Sequence, residues 1–256
     1  MSHRLVSFVG AGPGDPDLIT LKGLRRLREA EVVLHDRLVP HELLDEVSPG
    51  ATVVDVGKTP GRPCVGQGQI NWLLVDWARR REHVVRLKGG DPAVFGRLGD
   101  EIEAVRSAGI AFEVIPGVTA ASAAAARLGI SLTRRGSAST LVFAAGTDQS
   151  GHHSAALDWD LLARAEGTLV FYMPVGSLEP ITAALTMLGR DPREPAILVE
   201  RVGTPGERVI ASRLGDIAEE GRAAGVAAPA ILVTGPTVAA ASVPLTLRRA
   251  ASPAAV

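Results

Sequence analysis

Short β-branched runs alternate with stretches of helical spacing, and in the first half of the chain this theme recurs five times. Leu5–Val9 ends at Gly10, Val32–Leu34 at His35-Asp36-Arg37, and Val53–Val56 at Gly57-Lys58. Val84–Leu87 ends at Lys88-Gly89-Gly90-Asp91, and Phe112–Ile115 at Pro116-Gly117. Between them Ile70, Leu73, Leu74 and Trp77 share a helical spacing, as do Leu98, Ile102 and Val105. Strands alternating with helices predict an α/β fold with a mostly parallel sheet covered by helices.

The pattern breaks at the polar, arginine-containing stretch Ser131–Ser139 and restarts with a strand at Thr140–Ala144. Further strands are expected at Thr168–Tyr172, Ala196–Arg201, Arg208–Ala211 and Ala230–Thr234, with a helix marked by Leu178, Ile181, Leu185 and Leu188. The second and third of these strands, joined through Gly203-Thr204-Pro205-Gly206, read as an antiparallel hairpin, so the second sheet is expected to be mixed. The expected organisation is an N-terminal α/β domain over 1–135, a C-terminal α/β domain over 136–248, and a disordered tail over 249–256.

Composition narrows the function. A length of 256 residues suits two modest domains, and 46% apolar residues suffice for real cores. A net charge of −1 and 4% aromatics argue against a nucleic-acid-binding face, leaving room only for a local basic pocket. The single cysteine, Cys64, excludes an internal disulfide and a multi-cysteine zinc site and fits a reducing cytoplasm. Met1–Val6 runs straight into the first strand, so no signal peptide is expected. The most apolar stretch, Val118–Ala126, is well short of the roughly 20 residues a membrane span needs.

The candidate chemistry lies at the C-terminal ends of the first five strands, where open α/β sheets bind their ligands. Gly10-Ala11-Gly12-Pro13-Gly14-Asp15 lets a ligand approach the backbone, but Asp15 stands where a dinucleotide fingerprint needs glycine, and Pro13 removes a donor from any phosphate cradle. A phosphate-free, adenosine-containing ligand fits the loop better. Asp36 suits either a ribose hydroxyl or a general base, against the plainer reading of an Asp36–Arg37 ion pair. Lys58 follows a glycine at a strand end, Gly89-Gly90-Asp91-Pro92 brings backbone up to a ligand, and Thr119 opens a helix as a possible N-cap. His152-His153 lack a third ligand of suitable spacing, so no metal is expected. Neither a hydrolase elbow nor a Walker A sequence occurs, and Trp72, Trp77 and Trp159 are read as packing residues.

Taken together, these segments resemble the uroporphyrinogen-III C-methyltransferases of the tetrapyrrole methylase family. Gly10–Asp15 with Leu18–Gly23, Asp36–Val39, Val56–Lys58, Arg86–Pro92 with Phe95–Arg97, Pro116–Ser122, Gly129–Thr133 and Leu169–Met173 carry the likeness in consistent order from about residue 5 to 245. The resemblance implies a two-domain methyltransferase, usually a homodimer, holding S-adenosylmethionine in a cleft between its lobes. It implies a cofactor pocket lined by Pro13, Gly89, Gly90, Asp91, Val94, Thr119, Ala120 and Met173. Asp36 would be the proton acceptor and Lys58 the proton donor, with Arg86, Arg97, Asp100 and Arg135 facing the tetrapyrrole. Two methyl transfers to uroporphyrinogen III would give precorrin-2, a precursor of sirohaem and cobalamin.

Departures from the family pattern cluster in the second half. Arg134-Arg135-Gly136-Ser137 replace the usual His-Arg-Asp-Tyr, Ser131 replaces a proline, and Ala145-Gly146-Thr147 replace Thr-Gly-His. Glu200-Arg201-Val202-Gly203 stand where relatives have Glu-Asn-Gly-Thr, and His35 replaces a tyrosine. These departures motivate a competing reading, a methyltransferase for another precorrin or a non-tetrapyrrole acceptor; a dinucleotide-dependent oxidoreductase built on Gly10–Gly14 and a non-catalytic ligand sensor that kept the cleft are the others.

Overall fold

The computed structural model describes residues 4–57, 66–147 and 157–241. The chain forms two compact units, Met1–Ala120 and Ala121–Val256. The division falls ahead of residue 135, because the polar stretch after Ile130 is a surface turn of the second unit rather than a linker. There Arg134 N donates to Ala138 O at 2.9 Å and Ala138 N donates back at 2.8 Å.

The first unit contains strands β1 (Leu5–Gly10), β2 (Val32–His35), β3 (Thr52–Asp55), β4 (His83–Lys88) and β5 (Ala111–Ile115). They form one parallel sheet in the order β3-β2-β4-β1-β5. Helices α1 (Leu21–Arg28), α2 (Gln67–Arg80) and α3 (Leu98–Ser107) belong to the same unit. Alternate strand residues supply two separate cores. Val6, Phe8, Val32, Leu34 and Val84 pack with Ile70, Leu74 and Ala78 of α2 and Val105 of α3. Val9, Val33, Val85, Leu87 and Ile115 pack with Leu27 of α1. A sheet covered on both faces explains why these strands read as continuous apolar runs. Thr20 caps α1, accepting from Gly23 N at 3.1 Å, and a methyl group at Gly23 would come within 2.9 Å of Val9 Cγ1. Helix and sheet therefore approach closely directly behind the first glycine loop.

After β1 the chain crosses β4 to reach β2, and after β4 it crosses β1 to reach β5. The adjacent strands β1 and β4 thus send their connections in opposite directions. Their C-terminal ends flank a topological switch point, the place where a crevice opens in sheets of this kind.

The second unit takes helix α4 (Ala120–Leu128) from its second residue onward. It continues with β6 (Thr140–Ala145), α5 (Trp159–Arg164), β7 (Gly167–Tyr172), α6 (Leu178–Met187), β8 (Pro195–Glu200), β9 (Arg208–Arg213), α7 (Ile217–Ala223) and β10 (Ala230–Thr234). The sheet order is β6-β7-β10-β8-β9; β6 and β7 run parallel and the other pairs antiparallel. The expected hairpin is present as β8–β9.

Trp159 stacks on Phe171 with ring planes 6° apart, and Trp77 packs against the α2 core. Trp72 does not pack as expected: it is 62% exposed, because it lies two residues from both Ile70 and Leu74 and so points away from their face of α2. No helix among the described residues is long and apolar enough to cross a membrane.

Candidate functional site

At the switch point the ends of β1 and β4 continue as two glycine loops held side by side. Ala11 N donates to Lys88 O at 2.8 Å, Gly90 N to Gly12 O at 2.7 Å, and Gly12 N to Gly90 O at 3.3 Å. The loop after β5 closes against both. A methyl group at Gly117 would sit 2.2 Å from Gly90 O and 2.8 Å from Gly10 Cα, so backbone packs on backbone here. Asp91 locks the arrangement: Oδ1 accepts from Ala93 N at 2.8 Å and Oδ2 from Gly117 N at 3.0 Å. Gly90 has φ 67°, and an added Cβ there would meet nothing within 4 Å. Its outer face leaves a strip of backbone that a ligand can approach.

Asp15 caps the turn Pro16–Leu18 by accepting from Asp17 N at 3.0 Å, a job the glycine of a dinucleotide fingerprint could not do. The structure thereby brings together the loop bearing Pro13, the segment Gly89–Asp91, and the start of the chain leading to Thr119 and Ala120. Pro13, Gly89, Val94, Thr119 and Ala120 are all half-buried. No lysine or arginine stands in Gly10–Asp15 or Gly89–Val94, and Asp91 is engaged internally. Backbone groups and van der Waals surface fit a zwitterionic sulfonium such as S-adenosylmethionine better than a pyrophosphate.

Beside this crevice lies a chain of four charges. Asp36 follows β2, its backbone N–H donating to Leu87 O at 3.2 Å. Its carboxylate accepts from Arg86 at 2.5 Å. Arg86, which the resemblance places toward the tetrapyrrole, is 2% exposed. The guanidinium donates to Glu101 Oε1 at 2.9 Å and to the carbonyls of Leu34 and Leu87. Lys88 Nζ donates to Glu101 Oε2 at 2.8 Å, and Glu101 is fully buried. Burial works against the Arg86 cation, but the Asp36 and Glu101 carboxylates outweigh it and hold the group above its ordinary value. Lys88 shifts the other way, pushed down by burial and by the neighbouring Arg86 charge.

Arg97 and Asp100 are half-exposed and pair with each other at 2.8 Å. With Gln67, Asn71, Glu103 and Ser107 they line an open depression of about 480 Å³. Arg97 has φ 54° at the foot of α3. Lys58 lies outside the described residues. The turn before it is tight: Gly57 N donates to Asp55 Oδ1 at 2.7 Å, and a methyl group on Gly57 would strike Arg37 Cβ at 2.7 Å.

In the second unit Met173 ends β7 in a left-handed conformation, φ 53°, with 48% exposure. The preceding Tyr172 accepts from Ala121 N at 3.2 Å through its hydroxyl, joining the end of β7 to the first turn of α4. Arg135 and Arg134 are exposed in a turn closed by Gly136 at φ 83°, with no carboxylate partner among the described residues. Among those residues no group of three His, Cys, Asp or Glu side chains is arranged to hold a metal.

Glu101 and Tyr172 escaped notice in the sequence. Tyr172 left no local cue. Glu101 did: it lies three residues after Leu98 and four before Val105, on the apolar stripe of α3. A carboxylate at such a position is buried only with partners.

The sequence profile of the Tetrapyrrole (Corrin/Porphyrin) Methylases matches residues 5–218. Among curated proteins, siroheme synthase of Edwardsiella ictaluri is 46% identical over 93% of this chain and 50% of its own length. Siroheme synthase 3 of Aeromonas hydrophila subsp. hydrophila is 45% identical over 91% of this chain and 49% of its own. The chain thus spans about half the length of these relatives. Among solved structures, native uroporphyrin III C-methyl transferase from Thermus thermophilus aligns with a TM-score of 0.78 and 42% identity, covering 91% of this chain and 92% of that one. The same enzyme complexed with S-adenosyl homocysteine gives 0.77 and 44%, with the same coverage. A cobalt precorrin-4 methyltransferase gives 0.82 at 28% identity, covering 93% of this chain and 97% of that one.

Proposed function

The chain belongs to the tetrapyrrole (corrin/porphyrin) methylases, and from that membership we propose that it transfers methyl groups from S-adenosylmethionine to uroporphyrinogen III. The observation that carries the reading is the 44% identity, over nine-tenths of both chains, to a uroporphyrin-III C-methyl transferase complexed with S-adenosyl homocysteine. The glycine crevice supports it by offering backbone and no cation. The assigned activity is the methylation alone, since the chain spans half of each siroheme synthase. Its expected product, after two transfers by way of precorrin-1, is precorrin-2 for sirohaem or cobalamin synthesis.

The bound cofactor supplies a methyl group already electrophilic on a sulfonium, and a pyrrole carbon of a reduced macrocycle is nucleophilic enough to take it. The protein then has two tasks, to align the reacting carbon and to remove a proton from the alkylated ring. Pro13, Gly89, Gly90, Asp91, Val94, Thr119, Ala120 and Met173 hold the cofactor. For Asp91 the role is indirect, since both carboxylate oxygens bind backbone N–H groups. Asp36 is the proton acceptor: one oxygen is fixed by Arg86, and the side chain is 32% exposed. Lys58 is the proton donor. Arg86, Arg97, Asp100 and Arg135 face the tetrapyrrole; the guanidinium forks of Arg97 and Arg135 suit its carboxylates, and Asp100 orients Arg97. We assign the protein to the cytoplasm as a homodimer.

Anaerobic incubation with enzymatically generated uroporphyrinogen III and S-adenosylmethionine should add two methyl groups by mass spectrometry. Folded protein that binds S-adenosylhomocysteine but forms no methylated product would overturn this acceptor. That result would favour a second reading, methylation of another precorrin. Its support is the replacement of the usual His-Arg-Asp-Tyr by Arg134-Arg135-Gly136-Ser137, together with the likeness to a precorrin-4 methyltransferase.

A further inference from the structure

We infer that Glu101 and Lys88 are positioning residues that act through Arg86 to hold the Asp36 carboxylate in its working orientation, an inference resting on the reading of Asp36 as proton acceptor.

The argument begins with cost. Lys88, Arg86 and Glu101 are at most 2% exposed, and taking three charges out of water is expensive wherever well-packed apolar residues would serve. The four charges sum to zero: Asp36 and Glu101 against Arg86 and Lys88. Each buried group has its partner, so the set functions as one unit. Arg86 is held from three directions. Its Nε donates to Glu101, and one terminal nitrogen donates to Leu34 O at 3.4 Å and Leu87 O at 3.2 Å, on the ends of β2 and β4. The other terminal nitrogen is directed at Asp36. The planar fork cannot rotate without breaking contacts to both strands and to α3.

The consequence for Asp36 is specific. Oδ1 accepts from a rigid donor, which sets the plane in which the carboxylate presents Oδ2. Glu101 draws on the same guanidinium, so the charge of Arg86 is divided between two carboxylates rather than spent on Asp36 alone. Lys88 in turn balances Glu101. Glu101 is itself placed in the first turn of α3, where the exposed N–H groups favour an anion. Gln67 of α2 adds a longer contact to Glu101 Oε1 at 3.4 Å. None of these groups needs to touch substrate for the arrangement to set the geometry of the base.

The test compares Asp36→Asn, Glu101→Gln and the double variant Lys88→Met/Glu101→Gln, by steady-state kinetics and thermal melting. Asp36→Asn should lower kcat on the order of 10²-fold, the range expected for removing a general base. Unchanged turnover in that variant would defeat the reading of Asp36 itself. Glu101→Gln should lower kcat about tenfold, with the KM for both substrates within about twofold, because misorientation affects the reacting geometry more than binding. The double variant restores the charge balance and should recover the melting temperature while leaving kcat low. If kcat recovers with stability, or if Glu101→Gln raises KM at unchanged kcat, the two residues are structural and the inference fails while Asp36 keeps its role.

Discussion

At the scale of single residues, the strongest constraint on the site is the space left for a methyl group. Gly10, Gly90 and Gly117 meet backbone to backbone, and a Cβ on Gly117 would overlap Gly90 O at 2.2 Å. Gly117→Ala should therefore destabilise the protein by at least ~2 kcal/mol and weaken S-adenosylhomocysteine binding, read by melting and calorimetry. Normal affinity in a folded Ala variant would show that the three loops need not touch. Tyr172 offers a gentler probe. Removing its hydroxyl leaves Ala121 N without that acceptor, at a cost of about 1 kcal/mol. Tyr172→Phe should raise the KM for S-adenosylmethionine several-fold, because the hydroxyl ties Met173's strand to the helix that Thr119 and Ala120 introduce; an unchanged KM would separate that tie from cofactor binding.

At the scale of elements, the sheet of the first unit carries a second electrostatic cluster on the face opposite α2 and α3. Glu113 of β5 accepts from Ser7 of β1 at 3.0 Å and from Arg26 of α1 at 2.6 Å, and Lys22 lies 2.6 Å away. Burial pushes its carboxyl upward, but the hydrogen bonds from Lys22, Arg26 and Ser7 more than offset this and bring it down to about 2. Because the folded-state value is depressed, the stabilisation is present above pH 4.5 and is lost as pH falls toward 2. Melting temperatures measured across this window should fall more steeply for the native protein than for Glu113→Gln, which should already be less stable at neutral pH. Parallel slopes would mean that α1 is held to the sheet by its apolar contacts alone. The same element-level view explains Trp72: helical periodicity identifies the stripe Ile70, Leu74 and Ala78, and a residue off that stripe faces water however large it is.

At the scale of the whole molecule, a net charge of −1 would have to accommodate the polycarboxylate macrocycle proposed as substrate. Attraction can come only from a local concentration of cations, and Arg97, Arg134 and Arg135 are exposed. Exposed charges are screened, with a Debye length of about 10 Å at 0.1 M salt. The KM for uroporphyrinogen III should thus rise with ionic strength while that for S-adenosylmethionine changes little. Equal salt dependence for both would remove the arginines from substrate recognition. A second test of the whole fold is ligand choice. S-adenosylhomocysteine at about 100 times its Kd should stabilise the protein by roughly 2.7 kcal/mol, whereas NAD(P) should give no shift. Stabilisation by NAD(P) alone would restore the oxidoreductase reading of Gly10–Gly14.

The strands, the parallel first sheet, the β8–β9 hairpin and the glycine loops could be read directly from the sequence, because each depends on residues near one another in the chain. Periodicity reports which face of an element is buried, and Gly or Pro reports where the backbone must turn. The aspartate in place of a third glycine was enough to argue against a dinucleotide, and the structure gives the reason: Asp15 caps the next turn. What sequence could not reveal was which charges meet. Asp36 pairs with Arg86, 50 residues away, and Arg86 in turn binds Glu101, 15 residues further on. Strand order places β4 between β2 and β1, and only that order brings Arg86 beside Asp36 and the Gly89–Asp91 loop beside Gly12. Local sequence therefore determined the elements and the kind of ligand the loops admit. The pairing of buried charges was decided by tertiary structure, because a charge in the interior is stable only with the partner that folding puts beside it.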